Sequence, residues 1–290
     1  MMPLHGPPLG LFAANRLASA ALLTCILASA LMSNIAILSD IHANLPAFRE
    51  VLNEIESLNV SEVFLGGDLV GYGASPAGCV DLAMTKCTGS VMGNHDEFVI
   101  QRLMVGATHP DPRGKWKKDP FGAGVLRAME QLNPKQIEWF KNQPMFAKPE
   151  GAILLHASVD DPLNWNYITS HKCALYSLQI IRGRKRHVAF VGHTHKQKIF
   201  PDLESDLMLE QVDEKKYRIP QGLATVVSVG AVGRPRGDSD TRAAWALWDP
   251  VKRTVEFRRT EYDAAAAAKD ILDAGLPAQS AKILGNGKSA

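Results

Sequence analysis

From Met32 onward, short apolar runs that each stop at a polar residue alternate with longer stretches whose apolar positions recur every three or four residues. "NIAILSD" closes on Asp40 and reads as a strand. "HANLPAFREVLNEIESL" then takes the helical period, with Asn44 as cap, Pro46 in the first turn and Phe48, Val51, Leu52 and Ile55 on one stripe. "SEVFLGGD" repeats the design and ends at Asp68, "CVDLAMTKC" is the next helix, and "GSVMGNHDE" is a third strand running into a polar loop. Residues 99–120 lack periodicity and read as an exposed insertion, whereas 121–141 are helical, with Leu126, Met129 and Leu132 as candidate core contacts. "GAILLHAS", "HVAFVGHTH", "ATVVSVG", "AAWALWD" and "TVEFRR" are later strands. "DAAAAAKDILDAG" is a capped helix from Asp263 to the stop at Gly275. Alternation early and consecutive strands late predict mixed sheets with helices outside.

Composition changes this picture little. The 290 residues, 46% hydrophobic and 21% charged, suit one α/β domain with extensions, or at most two small domains. A formal charge of +2 gives no reason to expect a specific nucleic-acid or membrane partner. Four cysteines without C-x-x-C spacing are expected to be free thiols in the core. The amino-terminal 31 residues alter the picture more. Arg16 precedes "LASAALLTCILASAL", a signal-peptide-like apolar stretch with Ala28-Ser29-Ala30 as a cleavage site, yet Met32 opens a strand directly. The segment is therefore either an export signal or a mis-assigned start, the latter favoured. A cytoplasmic protein is expected, exported if residues 1–31 are a true signal, with a domain over 32–275 and a tail over 276–290.

The candidate chemistry stands where strands end. Asp40 and His42 follow the first strand, Asp68 the second, Asn94 and His95 the third, His156 the fourth, and His193 and His195 the fifth. Sites in open α/β sheets form at the carboxyl ends of strands, so these residues are expected in one cleft. Carboxylates mixed with imidazoles suit manganese, iron or zinc more than magnesium or calcium. So many ligands are too many for one ion and fit two that share a carboxylate. Two divalent ions against two carboxylates and a hydroxide leave one positive charge facing an anionic phosphate, which makes phosphate-ester hydrolysis the natural chemistry.

D-x-H at 40–42, G-D at 67–68, G-N-H-D at 93–96, the lone His156 and G-H-T-H at 192–195 stand in the order of the calcineurin-like metallophosphoesterases, which this chain resembles over residues 34–275. "GDLVGYGASP", "LLHAS…DPLNWNYI" and "VGAVGRPRGDSDTRAAWALWD" resemble the small bacterial and archaeal phosphodiesterase branch, which includes diadenosine-tetraphosphatase-like members. The resemblance implies a four-layer α/β/β/α sandwich of two mixed sheets. It also implies that Asp40, His42, Asp68 and His195 hold one ion, and that Asn94, His156 and His193 complete a second bridged by Asp68. The expected ions are Mn2+, with Fe, Zn or Ni as alternatives. His95 would face the scissile ester, Asp96 would orient its ring, and a metal-bridging hydroxide would attack phosphorus. Arg234 and Arg236 are candidate phosphate contacts.

Departures narrow the substrate to a small phosphorylated or nucleotidic molecule. "GDLVGYG" lacks the arginine that protein serine/threonine phosphatases carry soon after G-D, and "SVGAVGRPRG" stands where relatives often read "NVGSVGQPRD". A protein phosphatase and a non-catalytic scaffold, such as the retromer subunit of this fold, remain the alternatives. Retention of every ligand and of His95 favours the enzyme. His5, His109, His171 and His187 end no strand in the cleft, and "RGRKRH" at 182–187 falls at the far end of its strand and reads as a solvated turn. Trp245 and Trp248 are expected to pack on the core or on a second subunit of a homo-oligomer.

Overall fold

The structure, a computed structural model, describes residues 34–58, 60–105, 114–236 and 239–285. The expectations for residues 1–31, His5, Cys25 and His109 lie outside them. Among the described residues no helix is long and apolar enough to cross a membrane.

Two mixed sheets are flanked by helices. The first has seven strands in the order β3–β2–β1–β11–β12–β9–β8, and the second has five in the order β4–β5–β6–β10–β7. In the first sheet β1 (Ile35–Leu38) is parallel to β2 (Glu62–Leu65), which is parallel to β3 (Gly89–Ser90). On its other side β1 pairs antiparallel with β11 (Ala243–Asp249), which pairs with β12 (Thr254–Thr260). Beyond β12 lie β9 (Lys216–Arg218) and the two-residue β8 (Glu210–Gln211). In the second sheet β6 (Val188–Val191) runs parallel to both β5 (Ala152–Leu155) and β10 (Thr225–Val229). The short β4 (Phe146–Ala147) and β7 (Gln197–Pro201) form its antiparallel edges.

The period of two along each strand builds the layers. Ile35 and Ile37 point between the sheets with Phe64, Leu154, Phe190, Val227 and Trp248, while Ala36 and Leu38 point outward beneath the helices. On that outer face α1 (Leu45–Ser57) lays down Phe48, Val51, Leu52 and Ile55, and Asn44 caps its start by accepting from the Ala47 amide at 3.2 Å. The second sheet buries Ile153, Leu155, Ala189 and Val191 under α6 (His171–Arg182). Helices α2 (Pro76–Lys86), α3 (Asn94–Met104), α4 (Pro120–Gln131) and α5 (Pro134–Lys141) join α1 on the first sheet's side.

Several expectations change. The polar loop expected after the third strand is the first turn of α3, so the unperiodic insertion is shorter than 99–120. The segment 121–141 is two helices, split by a capping box between Asn133 and Gln136. Val125, Ala128 and Leu132 make the α4 stripe; Leu126 and Met129 are only half-buried. Helix α7 (Ala264–Asp273) is capped by Asp263 as expected, and Gly275 follows at φ +69°. The chain does not become a tail there. Helix α8 (Ala278–Ile283) packs back, burying Leu276, Ala281 and Leu284 against Ala74 and Ala123. Trp245 and Trp248 are fully buried in the core of this chain. Cys79 is buried, but Cys173 lies exposed on α6, which corrects the expectation that the thiols are all core.

Candidate metal centre

The parallel strands β1, β2, β5 and β6 all deliver their carboxyl ends to one place, and the polar residues gather there. Asp40, His42, Asp68, His95, His156, His193 and His195 are all at most 5% exposed. Close backbone approach makes this possible. A Cβ on Gly192 would lie 1.9 Å from Ser39 Oγ and 2.6 Å from Asp40 Oδ2, so only glycine lets the turn carrying His193 and His195 close onto β1. The His193 amide then donates to Asp40 Oδ2 at 3.0 Å.

Two donor sets result. In the first, His195 Nε2 lies 3.1 Å from Asp40 Oδ1 and 3.2 Å from His42 Nε2, and His42 Nε2 is 3.7 Å from both Asp40 Oδ1 and Asp68 Oδ2. In the second, His156 Nε2 lies 3.4 Å from Asp68 Oδ2, 3.1 Å from Asn94 Oδ1 and 3.2 Å from His193 Nδ1. Ligands around an ion with bonds of about 2.1 Å stand about 3.0–3.4 Å apart. Most of the spacings are of that order. Asp40 Oδ1, although close to His195, is a buried acceptor without a hydrogen bond. Two pairs of imidazole nitrogens also face each other, an arrangement that a shared cation resolves. The residues therefore fit two metal ions. Asp68 Oδ2 lies between the two, 3.7 Å from His42 Nε2 and 3.4 Å from His156 Nε2, and Asp68 groups with His42 and His95 as well as with His156 and His193; its Oδ1 accepts from the His95 amide at 2.9 Å.

Charge among these side chains is finely opposed. Burial works against the Asp68 anion, but His156 and His95 beside it hold its carboxyl well below the usual range. Burial likewise disfavours a charge on His156, yet Asp68 lifts that ring to about 9. Burial brings His95 down to about 3, and burial with the His156 charge brings His193 down to about 4.

His95 is packed by rings, with centroids 4.6 Å from Tyr72, 4.7 Å from Phe121 and 4.8 Å from His42. Its Nδ1 has no partner, because the Gly71 backbone covers it; a Cβ there would sit 2.3 Å away. Asp96 does not orient this ring, which corrects the expectation. Its carboxylate accepts from the amides of Val70 at 3.1 Å and Gly93 at 3.2 Å, tying the β2 loop to the start of α3. Arg234 lies with its guanidinium 4.0 Å from the Tyr72 ring centroid, and its carbonyl accepts from His195 Nδ1. Arg236 donates from Nη1 to the Tyr167 hydroxyl at 3.2 Å. His171 and His187 remain apart from the centre, and 182–187 are largely exposed at the opposite end of β6.

Sequence reasoning missed the aromatic rim. Tyr72 contacts His42 and His95, Tyr167 stacks on His193, and Trp165 meets His156 edge-on at 5.7 Å while donating to Glu97 at 3.1 Å. The available signal was the presence of aromatics in glycine- and asparagine-rich stretches beside the motifs, "VGYG" and "LNWNY".

Residues 33–206 match the calcineurin-like phosphoesterase family. The chain is 30% identical over 253 residues to an uncharacterised protein of Methanocaldococcus jannaschii, covering 84% of this chain and 94% of that one. It resembles a metallophosphoesterase structure from Sphaerobacter thermophilus at 29% identity and a TM-score of 0.72, over 87% and 98% of the two chains. A hypothetical protein from Pyrococcus horikoshii shares the fold at 19% identity and a TM-score of 0.67, over 89% of this chain and 99% of that one.

Proposed function

The chain belongs to the calcineurin-like phosphoesterase family, a metal-dependent family, and from that premise we propose that it is a dinuclear hydrolase of phosphodiesters or small nucleotidic phosphate esters. Manganese is the proposed ion, with iron, zinc or nickel able to replace it. The observation that carries this reading is Asp68 Oδ2, which stands 3.7 Å from His42 Nε2 on one side and 3.4 Å from His156 Nε2 on the other. Two ions held there supply an activated water and positive charge opposite a phosphate.

The chain's own residues do the rest. Asp40, His42, Asp68 and His195 hold the first ion, and Asp68, Asn94, His156 and His193 the second. With Nδ1 of His95 sealed by Gly71, Nε2 is the nitrogen left to carry the ring proton; it stands 3.9 Å from Asp68 Oδ2. Burial keeps the ring neutral near pH 7, so His95 acts as a hydrogen-bond donor to the leaving oxygen and stabilises the charge developing there. Arg234 and Arg236 take the outer phosphate oxygens. These two guanidiniums beside the centre favour one second reading, a phosphatase acting on monoesters.

The test is hydrolysis of bis-p-nitrophenyl phosphate beside p-nitrophenyl phosphate by manganese-loaded protein, with Asp68→Asn as control. Diester turnover is expected, and the variant should lose more than the roughly 10–100-fold typical of residues that only support a ligand. Monoester-only turnover would install the second reading. No turnover on either ester, with both ions bound, would return the scaffold.

A further inference from the structure

A metal-bound histidine is normally held by a hydrogen bond from its second ring nitrogen, which fixes both tautomer and ring plane. Three of the four ligand histidines obey this. His42 Nδ1 is 3.2 Å from the Val70 carbonyl, His156 Nδ1 is 2.7 Å from that of Gly66, and His195 Nδ1 donates to that of Arg234. His193 does not. Its Nδ1 faces the second ion's donor set, which leaves the ring proton on Nε2, and Nε2 is buried with no hydrogen-bond partner.

What holds His193 instead is a ring. Tyr167 stacks on it with centroids 3.9 Å apart and planes inclined by 17°. Tyr167 is itself fixed through its hydroxyl, which accepts from Arg236 Nη1 at 3.2 Å. It is 46% exposed, so this support comes from the rim of the cleft and not from the folded backbone. In the first ion's set His42 also meets a rim ring, Tyr72, edge-on at 4.9 Å, but His42 and His195 have backbone carbonyl partners on Nδ1 as well.

We propose that Tyr167 is the positioning residue for His193, so that one ligand of the second metal ion is held by this exposed stack, whereas His156 beside it and both histidines of the first set are held by backbone carbonyls. The proposal rests on the dinuclear reading above. The second ion is then the weaker and more exchangeable of the two, and a rim residue sets its affinity without touching it. Because Arg236 carries Tyr167, an anion drawn to Arg236 acts on the same support.

Manganese titration of the full chain by calorimetry tests this without reference to turnover, with the ion count checked by elemental analysis. Wild type should bind two ions. Tyr167→Ala should leave the first unchanged and weaken the second by about 10–100-fold, the range typical for loss of a ligand's support. Tyr167→Phe, which keeps the ring, should bind the second ion within a few-fold of wild type. The proposal fails if Tyr167→Ala binds both ions as wild type does, if it weakens both equally, or if Tyr167→Phe is as impaired as alanine. A wild-type protein that takes up only one ion would instead sink the dinuclear reading, before any variant is compared.

Discussion

Asp40, His42, Asp68, His193 and His195 all adopt φ between +47° and +63°, the left-handed region that side chains with a Cβ avoid. Each costs of order 1 kcal/mol or more and persists only because the surroundings impose it. Such strain gathers the donors, and it was not readable from residue types. What could be read was the chemistry, because carboxylates and imidazoles at the ends of apolar strands have no packing reason to be there. Tyr72, Trp165 and Tyr167 were not readable, since an aromatic in a loop looks the same whether it packs on a core or on a ligand. One titration follows at this scale. In the metal-free protein His156 is raised from its ordinary 6.5 to about 9, so its proton stabilises the fold fully below about 6.5 and that contribution is lost as pH rises through about 9. A metal ion needs the lone pair that this proton occupies, so binding at pH 7.5 must expel about one proton, and affinity should rise with pH until about 9. Calorimetry in buffers of different ionisation enthalpy reads this directly; a binding enthalpy independent of buffer would contradict it.

Among the elements, α1, α7 and the long apolar strands were legible because one face of each is uniformly apolar. Helix α3 was not. Its first turn is Asn94, His95, Asp96 and Glu97, all polar, and only Val99 and Ile100 continue a buried stripe. The site has taken the positions from which a helix is recognised. Helix α6 is hidden in a similar way, because Ser177 interrupts the buried face of Ala174, Leu178 and Ile181. Asp96 shows what an element needs beyond its pattern, since its two amide contacts set the entry of α3 and thereby the placement of Asn94. Asp96→Asn keeps one acceptor and loses the other. It should lower stability by about 1–3 kcal/mol, the cost of leaving a buried amide donor without an acceptor. Two ions should still bind, and turnover should stay within a few-fold of wild type. A collapse of turnover with both ions retained would mean that Asp96 acts in the chemistry after all.

At the scale of the whole molecule, a mixed sheet system was readable from the change of pattern along the chain and its division into two sheets from the family resemblance, but the strand order was readable from neither. That β1 pairs with β11, more than 200 residues later, is a non-local contact that no short window reports. This order also divides the site. The first sheet supplies Asp40, His42, Asp68 and Asn94 from the ends of β1, β2 and β3, and the second supplies His156, His193 and His195 from the ends of β5 and β6. Each donor set draws on both sheets, so each ion of the proposed pair would tie one sheet to the other at the end where the apolar layer between them gives way to polar groups. Ions that bind the folded state alone stabilise it by mass action, by about 2.7 kcal/mol each at one hundred times the Kd. For a domain of this size that corresponds to roughly 5–10 °C of Tm per ion. Chelation should therefore lower Tm in two steps as metal is withdrawn, the first from the set containing His193 and the second from the set containing His195. Tyr167→Ala should lose only the first step. A melting temperature indifferent to chelator in a protein that demonstrably binds two ions would mean that the apolar layer alone unites the sheets, and that the strained donors are held ready whether or not metal is present.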